Sequence, residues 1–189
     1  IKVLGEAGGK GACSALLREA SGDGPIDVRA EALKALCRLD CSEALPLMVS
    51  LARTDGPLAV VARDALCHFP RGAGAEAIKA MMREGDTAAR LAAIDMIARG
   101  GVPEATGLLM KIALGDPAET VRISALDGLG DRAGRAELEP LVEYLLFARS
   151  PAEIAAAEKT IAAVCAREKR LARGRIRITR AVYLSLIHI

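Results

Sequence analysis

The chain has 189 residues, with 26 Lys plus Arg against 24 Asp plus Glu and a formal net charge of +2; that length suits one domain or one run of repeats. At 52% hydrophobic residues it is too apolar to be disordered. Its 37 Ala and 24 Leu, beside two Phe, two Tyr and no Trp, Asn or Gln, argue for closely packed helices and against a β-sandwich, and no uncharged apolar run approaches the roughly 18 residues of a membrane span.

The chain starts at Ile1, and the apolar stretch to Leu4 is too short for a signal-peptide core. Residues 1–9 read as a linker or the remnant of a preceding repeat. Gly5-Glu6-Ala7-Gly8-Gly9-Lys10-Gly11 is glycine-rich before a helix, yet it lacks the Ser or Thr after Lys that would hold magnesium in a phosphate-binding loop. The periodicity then predicts helices near 10–21, 42–54, 74–84, 102–114 and 135–149, each followed by a breaker and a second helix. The breakers are Gly22-Asp23-Gly24-Pro25, Asp55-Gly56-Pro57, Gly85-Asp86, Gly115-Asp116-Pro117 and Ser150-Pro151. The turn aspartates 23, 55, 86 and 116 are spaced by 32, 31 and 30 residues. Three first helices carry a proline, Pro46, Pro103 or Pro140, which bends a helix unless it sits in the first turn.

The second helices share a pattern. Val28, Ala32, Leu33 and Leu36 recur as Val61, Ala65, Leu66 and Phe69, then as Ala89, Ala93, Ile94 and Ile97, then as Val121, Ala125, Leu126 and Leu129. The offsets of four, five and eight place these residues on one helix face. A fifth copy, from Ile154 to Val164, matches loosely. One pair of about 30 residues does not bury its apolar stripe alone, whereas a stack does. The expected architecture is all-α, a right-handed α-solenoid of about five stacked antiparallel helix pairs over residues 10–166.

The segments Val28-Arg29-Ala30-Glu31-Ala32-Leu33 and Val121-Arg122-Ile123-Ser124-Ala125-Leu126, each with an Asp six residues before its Arg, resemble HEAT-repeat proteins. The likeness is to the short bacterial kind called phycocyanin-lyase-type HEAT-like repeats. The third copy spaces Asp86 and Arg90 by four, and the second places Arg63 one position late. The resemblance implies that Asp23, Arg29, Asp86, Arg90, Asp116 and Arg122 form a structural ladder between repeats. HEAT-like arrays serve as scaffolds, adaptors and occasionally enzymes.

Chemistry is sparsely marked. Cys13, Cys37, Cys41, Cys67 and Cys165 include no Cys-x-x-Cys. Cys67 and His68 are adjacent and point about 100° apart on a helix. The cysteines read as small buried hydrophobes, His68 as flanking a helix end, and free thiols would fit a reducing compartment. No metal, no cofactor and no catalytic residue is expected. Residues 167–183 hold seven bases and one acid, leaving 19 bases and 23 acids elsewhere. That basic segment reads as the start of a further repeat rather than a tail for nucleic acid or membrane. Residues 184–189 resemble one reading frame of a transposon-end sequencing adaptor, a scar on a fragment of a longer protein.

Three functions follow. A scaffold or adaptor binding a protein partner is the reading adopted, with Lys34 and Arg63 as candidate partner contacts. A nucleic-acid module is disfavoured by the missing Trp, Asn and Gln and by the acidic body. A bilin lyase-like enzyme is suggested only by the customary name of the repeat.

Overall fold

The computed structural model describes residues 10–148 and 150–171. Among them all regular structure is helical. The chain divides between Ala105 and Thr106 into two compact units. The basic stretch from 172 to 183 and the adaptor-like residues 184–189 lie outside the described residues, as do residues 1–9.

The first unit holds three pairs. They are α1 (Lys10–Ser21) with α2 (Ile26–Arg38), α3 (Leu45–Ala52) with α4 (Pro57–Cys67), and α5 (Ala73–Glu84) with α6 (Thr87–Ala98). The helices of each pair pack on each other, α4 also packs on both α2 and α6, and α3 packs on α5. Second helices therefore share one layer and first helices another. In the second unit α7 (Ala105–Gly115), α8 (Glu119–Leu129), α9 (Leu138–Phe147) and α10 (Pro151–Leu171) follow, with α10 against both α8 and α9. Helix α10 continues past residue 166 to Leu171, and the Arg167 guanidinium donates to the carbonyls of Gly130, at 2.8 Å, and Ala133.

The last three of the four recurring apolar positions are buried in every one of the four copies, whereas at the first position Val28 and Val61 are half-buried. Ala32, Leu33, Leu36, Ala65, Leu66, Phe69, Ala93, Ile94, Ile97, Ala125, Leu126 and Leu129 are all buried. Alanine at the first of each triplet lets the neighbouring helix come close, and leucine or isoleucine fills the space beside it. First helices add Leu16, Met48, Ile78 and Leu109. Close approach also selects glycine: a Cβ on Gly74, in the first turn of α5, would lie 2.0 Å from the Leu66 carbonyl oxygen of α4.

Helices α3, α5 and α9 are entered through single 3₁₀ turns over residues 42–44, 70–72 and 135–137. These turns put Pro46 and Pro140 in the first turn of the α-helix proper, and Pro103 precedes α7. The prolines thus start helices without bending them, because no intrahelical hydrogen bond is lost there. Asp86 caps α6, its carboxylate accepting the Ala89 amide at 2.8 Å.

The cysteine reading needs one correction. Cys37 is a buried thiol, but Cys13 and Cys41 form a disulfide with Cα atoms 6.1 Å apart. Their sequence separation of 28 is one helix hairpin, so antiparallel packing of α1 on α2 brings residue 13 beside the chain leaving α2. Sequence spacing alone gave no sign of this, since the two residues meet only through the fold.

Candidate functional site

The arginines of the second helices close the ends of first helices. Arg29 donates from Nε to the Ala20 carbonyl of α1 at 3.2 Å. Arg63 donates to the carbonyls of Ala52, at 2.8 Å, and Thr54, at 3.1 Å. Arg122 reaches the carbonyls of Asp116, at 2.7 Å, and Pro117, at 3.1 Å. The last carbonyls of a helix lack intrahelical partners and form its negative pole, so a guanidinium there satisfies both deficits. Asp23 is exposed in the α1–α2 turn, and Arg90 is half-buried on α6. Asp116 accepts the Ala118 amide at 2.9 Å. Lys34 is exposed and pairs with Glu31 on its own helix at 2.7 Å.

A second set of polar links keeps the repeat period. In the first unit Arg71 pairs with Asp40 at 2.9 Å, Arg53 with Asp86 at 2.7 Å, and Arg63 approaches Asp95 at 3.9 Å. In the second unit Ser150 donates to Glu119, Arg122 to Glu153 and Lys159 to Asp127, over sequence separations of 31, 31 and 32 residues. Each joins equivalent regions of consecutive pairs. Asp86 thus pairs outward to the preceding pair, and Arg122 to the following one.

The second unit carries a cleft of about 390 Å³ lined by Leu114, Asp116, Arg122, Tyr144, Phe147 and Glu153. Here the ends of α7 and α9 meet the starts of α8 and α10. Glu153 is 5% exposed. Its Oε1 accepts from Arg122 Nε at 2.6 Å and from the Tyr144 hydroxyl at 2.9 Å. Burial pushes the Glu153 carboxyl up, but the hydrogen bonds from Arg122 and Tyr144 outweigh it and hold the group below the usual carboxylate range. The Glu153 hydrogen bond raises the Arg122 guanidinium, whereas Tyr144 is raised first by its own burial and then by Glu153. The three side chains satisfy one another. Two apolar lining residues are open, Leu114 at 47% exposed and Phe147 at 81%, and Leu146, next to Phe147 in the chain, is 63% exposed.

A second cleft, of about 460 Å³, lies between α3 and α5 in the first unit, lined by Leu45, Val49, Ala77, Ala80 and Met81. Its floor is apolar, with Arg53 and Glu84 at its edge.

Cys67 and His68 do not converge. The Cys67 thiol points to the Met96 carbonyl at 3.7 Å, while exposed His68 places Nδ1 2.9 Å from the Asp64 carbonyl. Burial raises the Cys67 thiol, which disfavours its thiolate. Among the described residues no group of three or more His, Cys, Asp or Glu is placed to hold a metal ion. No described helix is long and apolar enough to cross a membrane.

Sequence reasoning passed over Tyr144, on the first helix of the last pair, and Glu153, just ahead of the loosely matching fifth copy that begins at Ile154. One signal was available: Ser150-Pro151-Ala152-Glu153 is the Ser-x-x-Glu pattern of a helix start. Nothing local marked Tyr144.

A family model described as HEAT repeats matches residues 75–162, from within α5 into α10. No curated protein matches the chain. The match supports a HEAT-repeat protein. HEAT repeats generally mediate protein–protein interaction and scaffolding, and the family is typically non-catalytic.

Proposed function

We propose that this chain is a non-catalytic scaffold or adaptor that binds a protein partner, as part of a larger bacterial protein built on a right-handed α-solenoid of about five helix pairs. The observation that carries the reading is the contrast within the second-unit cleft. Its buried Glu153 is committed to Arg122 and Tyr144, while Leu114 and Phe147 of its lining, and Leu146 next to Phe147 in the chain, are left facing solvent. Large apolar side chains grouped in the open favour association with another surface, and a helical-repeat array offers such surfaces along its length. Lys34, exposed in the first unit, remains a candidate polar contact. Arg63, which holds the end of α3, is the weaker of the two.

The test is comparative capture. The full chain and a Leu146→Glu/Phe147→Glu variant are used as bait in extract of the source cells, with folding of both checked by circular dichroism. The reading expects a protein retained by the first and lost from the second. Equal retention by both contradicts the placement of the surface.

A further inference from the structure

We propose that the Cys13–Cys41 disulfide is a redox latch on the first helix pair, opened by a dithiol reductant and closed again by exchange with a disulfide oxidant, which takes up the two electrons and two protons. The inference goes beyond the scaffold reading and does not depend on it.

The two ends of the bond are held unequally. Cys41 is 2% exposed and fixed by its backbone: its amide donates to the Leu36 carbonyl at 3.1 Å, and its carbonyl accepts from Ala44 at 2.9 Å. Asp40 before it is in the left-handed region, with φ 55°, and its carboxylate is tied to Arg71. This is the hydrogen-bonded finish of α2, and it does not require the disulfide. Cys13 lies on α1 and is partly open to solvent. Helix α1 buries one large side chain completely, Leu16, together with Ala12 and Ala20. It is therefore the element whose attachment depends most on the covalent tie.

Exchange follows from this asymmetry. A thiolate of the reductant attacks the sulfur of Cys13, the less buried of the two residues, the S–S bond breaks, and Cys41 leaves as a thiolate that takes up a proton. The second thiol of the reductant then closes on the first, forming the reductant's own disulfide and releasing Cys13 as a thiol. Two electrons and two protons pass to the protein. Internal shuffling does not compete. The nearby Cys37 thiol is buried and points to the Ala65 carbonyl at 3.4 Å, and burial followed by the Asp64 charge keeps it protonated. The latch therefore opens to two thiols instead of migrating to a new pairing.

The test uses the full chain purified without reductant. Alkylation in denaturant is expected to modify Cys37, Cys67 and Cys165, with Cys13 and Cys41 modified only after reduction. Closing a loop over a separation of 28 residues constrains the open state enough that amide exchange in α1 should accelerate on the order of a hundredfold when dithiothreitol is added. Exchange in α5 and α6 should not change. A Cys13→Ser/Cys41→Ser variant should exchange fast in α1 and ignore the reductant; the wild-type comparison decides the matter if that variant does not fold. Alkylation of all five thiols before reduction overturns the proposal. So does α1 exchange that is the same with and without reductant.

Discussion

Removing the Glu153 carboxylate is the sharpest probe of the second unit. In Glu153→Ala, Arg122 loses a charge-assisted hydrogen bond of 2.6 Å and the Tyr144 hydroxyl loses its acceptor at 2.9 Å. Breaking a buried ion pair typically costs about 3–5 kcal/mol. Arg122 keeps its two carbonyl acceptors and is 22% exposed, so we place the loss near the bottom of that range, at about 3 kcal/mol. For a chain of this size that lowers the melting temperature by roughly 6–12 °C. With no Trp in the chain, far-UV circular dichroism of urea and thermal unfolding is the assay. The pH dependence gives a second arm. Because the folded pKa of Glu153 is depressed, its contribution is fully present above the unfolded carboxylate value of about 4.3. It is lost as pH falls through the lower folded value. The deficit of the variant relative to wild type should therefore narrow at acid pH. A deficit under about 0.5 kcal/mol at neutral pH would refute the reasoning. So would additive losses in an Arg122→Ala/Glu153→Ala double mutant, because contacting partners must couple.

Other expectations follow from single positions. Ala93 and Ala125 are fully buried, so Ala93→Glu or Ala125→Glu should abolish cooperative melting, and wild-type melting in either would show that the repeat register is misplaced. Gly74→Ala should destabilise by about 2 kcal/mol or more, since its Cβ meets the Leu66 carbonyl. The paired control Gly107→Ala meets nothing within 4 Å in α7 and should stabilise by up to about 1 kcal/mol in the same urea titration. Thr160→Val removes a 2.7 Å hydrogen bond to the Leu126 carbonyl in a buried position and should cost about 1 kcal/mol by the same measurement.

What the sequence disclosed follows from what is local. The breaker positions and the offsets of four, five and eight depend on helix geometry within one segment, and the buried triplets from Ala32 to Leu129 lie where that geometry puts them. Prolines 46 and 140 were ambiguous, because the 3₁₀ turns ahead of them decide whether they begin a helix or bend one. The Cys13–Cys41 bond and the Arg122–Glu153–Tyr144 cluster depend on distances between segments 28 and 31 residues apart. The period fixes which segments are neighbours, but which side chains meet across that gap depends on helix rotation. Asp86 shows the difference: its role in capping α6 is local, whereas its partner Arg53 comes from the preceding pair.

The central claim is that the exposed apolar rim of the second unit meets a protein partner. A benzophenone photo-crosslinking residue in place of Phe147, activated in cells that make the protein, tests it most directly, with the same residue in place of exposed Glu139 on α9 as the reference. The account predicts a discrete protein adduct from position 147, absent from position 139 and suppressed by excess unlabelled chain. No adduct at 147, or the same adducts from both positions, would contradict it.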